Sequence, residues 1–378
     1  MCMINDSWFE NYGTFEALKN SEAAARKEWR TVPVCQLSVA PVEDIIFSDT
    51  AIFKNATAYA ASVTTEAVRD TAEKTGLAVV IDGKGYPVRD TALKSMFDRA
   101  RINGFSLSKL SKDDLAVILN KCFALYKDNS LILIDEEKVS ALHSGGEKDY
   151  SVLPIPELLE KLEDCLELRF PGNEFVWGYR DHSYTACEFH MPYQKDDLLR
   201  DYEALLRREG KGAMADKLVP CLKFVTSDVG VASAKVSAFL SGASIPIMVG
   251  SCMAVDHRGG KGIPDFEESL RGIFVQFGDA LEQLKKLHEI QLFYPVSTMT
   301  RVCKKLRLPK KASLETIAMF EATTMGGSAT AADVYYAMQE ILFNADITQG
   351  GRITLEENLS RALTLNWKSY DLAKPIAW

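Results

Sequence analysis

Residues 219–255 read VPCLKFVTSDVGVASAKVSAFLSGASIPIMVGSCMAV, and the fold turns on how this stretch is read. From Val236 to Val255 no residue is charged, which is long enough to invite a membrane span. Ser241, Gly242, Ser244, Pro246, Gly250 and Ser251 lie inside it, and proline with glycine in mid-run breaks a spanning helix. Strands explain it better: Val219–Thr226, Ala234–Leu240 and Ile245–Val255, the last two joined by a Ser/Gly/Pro turn. No membrane partner is expected.

Working outward, the preceding hundred residues repeat the strand-and-turn theme. Ser130–Asp135 and Lys138–Ser144 read as a hairpin around Asp135, Glu136 and Glu137, acids expected to be solvated at its tip. Glu174–Arg180 and Tyr184–Met191 form a second hairpin, turning at Asp181-His182-Ser183. Between them, Pro154 and Pro156 introduce a helix whose Leu158, Leu159, Leu162, Cys165 and Leu166 keep helical spacing. Asp196–Glu209 is a charged helix. Further upstream, Phe15–Trp29, Thr91–Arg101 and Ser111–Leu125 read as helices, with Ser111 as N-cap, and Leu77–Ile81 as a strand. Downstream the pattern is helical: Phe266–Ile290, Thr298–Arg307, Leu314–Thr323, Ala331–Phe343 and Leu355–Leu365. Strands and helices that do not alternate strictly predict an α+β fold. The expected regions are a mixed 1–129, an α+β core with hairpins over 130–258 and a mainly helical 259–378.

Composition bounds the class. The 378 residues are 47% apolar and 25% charged, as in ordinary globular chains, which excludes bulk disorder and a polybasic coat. Eight cysteines (Cys2, Cys35, Cys122, Cys165, Cys187, Cys221, Cys252 and Cys303) have no CxxC spacing, the usage of a reducing compartment. Asp6 and Glu10 interrupt the N-terminus, where no secretory h-region is read.

Three passages carry a likeness. They are Lys138–Ser144 with Tyr150–Leu159, Thr226–Ala234, and Val249–Ala254, with a weaker echo over Thr330–Ile341. Over residues 90–345 the chain resembles the phage/plasmid-like family of unknown function carried on bacterial mobile elements. Thr226 stands where that family favours asparagine, and Gly145–Asp149 is an insertion. The resemblance implies a mobile-element origin and the cytoplasm of a bacterial host; it implies no activity and no catalytic residues.

The densest charge feature is Arg301, Lys304, Lys305, Arg307, Lys310 and Lys311, with no acid among them. Helical spacing puts 301, 304 and 305 on one face, and such clusters attract phosphate backbones through counterion release. Either this is an anion-binding face or it is a solvated helix face. Arg258 and Lys261, in a glycine-rich stretch, form a second cationic spot without Walker spacing. Strand alternation puts Phe175, Trp177 and Tyr179 on one face, a stacking platform for unpaired bases if exposed and core if buried. His182, Cys187, Glu188 and His190 invite a zinc reading, but Cys187 and His190 would point to opposite strand faces, and no metal or cofactor is expected. GxSxG, HExxH, Walker A and GxGxxG patterns are absent.

The leading expectation is a non-enzymatic nucleic-acid-associated protein of a phage or plasmid, binding single-stranded DNA in replication, recombination or protection. Its contacts would be the 301–311 cations helped by Arg258 and Lys261. One alternative is a self-assembling phage structural homo-oligomer, or a factor that binds a host protein, with no nucleic acid involved. A second is a metal-dependent enzyme. The net charge of −8 does not oppose the first reading. Residues 246–378 balance 15 cations against 15 acids, so the excess acid lies earlier in the chain.

Overall fold

The computed structural model describes residues 3–47, 57–104, 106–146, 149–242, 246–325, 327–373 and 378; Cys2, Ala56, Glu147, Lys148 and Ile245 lie outside them. The fold is α+β, with antiparallel sheets first and helices last.

The first part runs β1 (Phe9–Tyr12), α1 (Phe15–Ala24), β2 (Lys27–Pro33), β3 (Ser38–Pro41), β4 (Ala58–Tyr59), α2 (Thr65–Glu73), β5 (Leu77–Ile81), β6 (Lys84–Pro87), α3 (Asp90–Ala100), α4 (Lys112–Phe123), β7 (Asn129–Asp135) and β8 (Lys138–Ser144). Strands β2-β7-β8 make one antiparallel sheet, and β3-β5-β6-β4 make a second in which only β4 runs parallel to its neighbour. The Ser111 hydroxyl accepts from the Asp114 N–H and starts α4, the N-cap its sequence announces. Leu115, Leu119 and Phe123 then bury one face against the 32–142 core, which also holds Val79, Ile81, Met96 and Ile132.

The middle adds α5 (Ile155–Arg169), β9 (Glu174–Asp181), β10 (Thr185–His190), α6 (Lys195–Arg208), α7 (Gly212–Ala215), β11 (Val219–Thr226), β12 (Ala234–Ser241) and β13 (Ile247–Val255). The uncharged stretch is thus two sheet strands, and no helix among the described residues is long and apolar enough to cross a membrane. An antiparallel six-stranded sheet, β1-β9-β10-β11-β12-β13, forms around them. The remainder is α8 (Ile263–Arg271), α9 (Ile273–His288), α10 (Pro295–Lys305), α11 (Lys310–Thr324), α12 (Ala331–Gln339), α13 (Ile341–Asn344) and α14 (Gln349–Ser360). One face of the large sheet, with Cys187, Leu222, Phe224 and Val236, packs on α5, α6, α8 and α9 to form a second core. On the opposite face α14 places Ile353 against Tyr179, Ala186 and Val225.

Several boundaries move for local reasons. The expected Phe15–Trp29 helix stops at Ala24, because Lys27–Pro33, β-branched at Thr31 and Val32 and closed by Pro33, pairs with β7 as the edge strand β2. The Phe266–Ile290 helix breaks at Gly272, and the Ala331–Phe343 helix breaks at Glu340. The helix expected over Leu314–Thr323 begins at Lys310, while the one expected over Thr298–Arg307 ends at Lys305.

The β7–β8 turn is not a solvated tip. Asp135 and Glu137 are buried, where solvated acids were expected. Asp135 Oδ2 lies 3.1 Å from His182 Nδ1, Glu137 accepts from the Thr64 N–H and hydroxyl at 2.7 Å, and Glu136 pairs with Arg26 at 2.8 Å. The partners come from distant segments, so the turn's own sequence cannot announce them. Around this turn runs a belt of buried charge joining the two cores. Lys27 on β2 reaches Glu22 of α1 at 3.0 Å and Asp228, just after β11, at 2.7 Å. Arg180 holds Glu22 from the other side at 3.1 Å, and Arg89 meets Asp6 at 3.0 Å. Lys138 binds Asp6 and Asp70 with no exposed surface. Burial opposes charge on these groups, yet the partners win: Glu22, Asp70 and Asp135 are held below the carboxylate range, and Lys27 above the lysine range. Removing one member of such a set strands the others without solvent, a loss of roughly 3–5 kcal/mol. Lys138→Met is therefore expected to lower unfolding stability by about that amount; a urea midpoint indistinguishable from the parent's would contradict the assignment.

Candidate functional sites: a cationic elbow and a polar cleft

The six cations of 301–311 surround one helix–helix elbow. Helix α10 ends at Lys305, the chain turns through Arg307 in the left-handed region (φ 55°), and α11 starts immediately after Pro309. The turn is closed by the Arg307 N–H on Lys304 O (3.1 Å) and the Leu308 N–H on Cys303 O (3.0 Å). Leu306 and Leu308 point into the core, which drives the alternating cations outward. Arg301 and Lys304 are half-buried and engaged with neighbouring groups. Lys305, Arg307, Lys310 and Lys311 are exposed, and among the described residues they form no ion pair. Even Glu315, one turn beyond Lys311, makes none with it. Lys304 and Lys305 suit the C-terminal end of α10, where the backbone dipole is negative. Lys310 and Lys311 occupy the first turn of α11, where it is positive and cations are disfavoured by roughly 0.3–1 kcal/mol each.

The other expected contacts are placed elsewhere. Arg258 and Lys261 are exposed in the segment after β13, where Lys261 pairs with Asp265 at 3.0 Å and His257 packs on Tyr150. The aromatic platform does not form. Strand β9 carries a bulge at Val176, so that Phe175 pairs with Phe189 while Trp177 pairs with Glu188. The extra residue reverses the alternation. Phe175 turns into the large core against Phe15 and Phe189, and Trp177 and Tyr179 face the other way. Tyr179 is buried and Trp177 half-buried. Arg180 is committed to Glu22.

The zinc candidates separate too. His182 bonds Asp135, Cys187 is buried in the core, and His190 lies 3.2 Å from the Ser241 hydroxyl. Among the described residues no three His, Cys, Asp or Glu side chains could hold a metal ion. Burial raises the Cys187 thiol and pushes Cys221, Cys252 and Cys303 up to about 12, which leaves them unreactive at neutral pH.

No family model, curated protein or solved structure matches the chain.

Two features escape sequence reasoning. One is a cleft of about 320 Å³ between the outer face of the sheet and the start of α14, walled by Trp177, Glu188, Lys223, Gln349, Arg352 and Glu356. Glu356 accepts from Lys223 (2.8 Å) and Arg352 (3.2 Å), and the Lys223 ammonium stands 5.3 Å from the Trp177 ring. Alternation along β10 and β11 hinted that Glu188 and Lys223 share a face; nothing local placed α14 over them. The other is an aromatic stack between β8 and the turn after β11. His143 and Tyr150 lie parallel with centroids 3.6 Å apart, and Trp29 and His257 flank them. His143 Nε2 and the Tyr150 hydroxyl both bond the Asp228 carbonyl at 2.8 Å. Gly230 (φ 77°) closes the turn beneath, where a Cβ would sit 3.2 Å from His143.

Burial drives the His143 ring down to about 4, against its ordinary 6.5, with the Asp228 carbonyl opposing; His190 and His257 are lowered by the same cause. An unfolded histidine takes its proton near pH 6.5, while the folded His143 refuses it until about pH 4. Stability is therefore full above pH 6.5 and falls as pH drops through that window, by about 3 kcal/mol for His143 alone. Urea midpoints measured from pH 7.5 to 4.5 are expected to fall, and less steeply in His143→Gln. A flat profile would contradict the buried neutral rings.

Proposed function

We propose that the chain binds single-stranded nucleic acid, non-enzymatically, through the elbow between α10 and α11. The observation that carries this reading is the pairing pattern. Many cations are tied to carboxylates, as at Lys223–Glu356, Lys235–Glu357 and Arg361–Glu357, and others, such as Lys84 and Lys121, stand apart from one another, whereas Lys305, Arg307, Lys310 and Lys311 are exposed together around one turn. Four unneutralised cations around one tight turn, two of them in a helix's first turn, raise a local positive potential that a phosphate chain relieves. A flexible single strand can follow such a turn, which a straight duplex cannot. The likeness to a family carried on mobile elements is compatible with this role and suggests a bacterial host.

Four phosphate contacts to a single strand set the salt dependence: log K should fall against log salt with a slope of about −3. Oligonucleotide binding measured between low and physiological ionic strength is expected to show that slope. The variant Lys305→Glu, Arg307→Glu, Lys310→Glu should abolish binding while melting like the parent. A parent protein that ignores DNA and RNA at the lowest salt, or a variant that binds as well as the parent, would refute the proposal. A closed oligomer in the absence of nucleic acid would favour assembly instead.

A further inference from the structure

The cleft under α14 is built around a carboxyl group that has no hydrogen-bond partner among the described residues. Glu188 is half-buried at the middle of β10, opposite Trp177 on one side and Lys223 on the other. Among the described residues its carboxylate accepts no hydrogen bond and forms no ion pair. Lys223, its natural partner, is drawn away to Glu356. Burial raises the Glu188 carboxyl, Lys223 pulls it back and Glu356 adds to the rise, while its oxygens open onto the cleft. A partly desolvated carboxylate without a hydrogen-bond donor suits a ligand that supplies one.

The rest of the wall narrows the ligand's chemistry. Glu188 and Glu356 are balanced by Lys223 and Arg352, so a free cation meets two cations and a free anion meets two carboxylates. A neutral molecule fits. Phe239 and Met248 provide apolar walls for a flat ring. Two further groups keep free donors: the Gln349 amide makes no hydrogen bond among the described residues, and Arg352, whose guanidinium lies 5.9 Å from the Phe343 ring, spends only its Nε on a side-chain hydrogen bond, to Glu356. The ligand must therefore present adjacent N–H donors to a carboxylate on one edge and acceptors to a guanidinium or amide on another. A volume of about 320 Å³ holds one heterocycle with a small substituent.

We infer that this cleft binds a guanine base, with its ring amide N–H and exocyclic amine donating to Glu188 and its O6 and N7 accepting from Arg352 or Gln349. Adenine would set a ring acceptor against Glu188, and leaving that carboxylate unpaired costs the wrong base its affinity. The inference stands apart from the elbow, since none of the cleft's residues belongs to it.

Guanosine titration of the whole chain, followed by calorimetry, is the test. Guanosine should bind and adenosine should bind about tenfold more weakly or worse. Glu188→Gln should weaken guanosine about tenfold or more, because the amide turns an N–H toward the base's own donors. The same variant should melt at or above the parent's Tm, as it removes a desolvated carboxyl. The elbow variant should bind guanosine normally, which separates this result from the fate of the nucleic-acid reading. Comparison of guanosine with oligo-dT carrying one dG tells a free nucleoside from a base presented on a strand. No guanosine binding, equal binding of adenosine or of glucose, unchanged binding by Glu188→Gln, or a lowered Tm in that variant would each overturn the assignment.

Discussion

Lys27, on a strand of the smaller core, holds two carboxylates that belong to the large-sheet half of the molecule. Its ammonium lies between Glu22, whose helix packs on the large sheet, and Asp228, at the end of a strand in that sheet, while its own strand belongs to the smaller N-terminal core. Across the same boundary His182 meets Asp135, Trp29, Leu133 and Ala141 pack on Val229, and Trp29 and His143 stack on Tyr150. Two hydrophobic cores are thus joined by paired charge together with aromatic stacking. Each charge tolerates burial only while its partner is in place. The orientation of the β7–β8 hairpin, of the N-terminal segment through Asp6, and of the Asp228 carbonyl that both His143 and Tyr150 bond depends on this belt.

The belt also explains where charge remains available for function. Buried cations here are spent on structure: Lys27, Arg89, Lys138, Arg180 and Lys223 each serve a carboxylate. Lys305, Arg307, Lys310 and Lys311 serve none among the described residues. An acidic chain can thus keep a positive corner, since the potential a ligand meets is set by unneutralised charge within about a Debye length, roughly 8–10 Å, and not by the net total. Glu188 is the converse case, a carboxylate left over in a cleft whose other charges cancel.

Local patterns were legible in the sequence wherever one segment decides its own structure. The Ser111 cap, the 155–169 helix behind its prolines and the strands of 219–255 follow from spacing and turn chemistry, and with them the α+β class. The chain gave no local sign of features decided by a remote partner. Val176 looks like one more strand residue until β10 sets the register, and the resulting bulge undoes the Phe175–Trp177–Tyr179 platform. Asp135 and Glu137 look like a solvated tip until His182 and Thr64 arrive. The cationic run was visible as a cluster, but its division into engaged and free members depends on the turn at Arg307. The cleft joins residues 177, 188 and 223 to 349–356, a separation that no pattern on one strand or helix spans.

The Lys27 pairs with Glu22 and Asp228 couple the two cores. Differential scanning calorimetry of the parent chain and of Lys27→Met tests this coupling most directly. The parent should unfold in one transition, and the variant, with Glu22 and Asp228 left unpaired, should resolve into two as the cores melt separately. Two transitions in the parent, or a single unshifted transition in Lys27→Met, would contradict it.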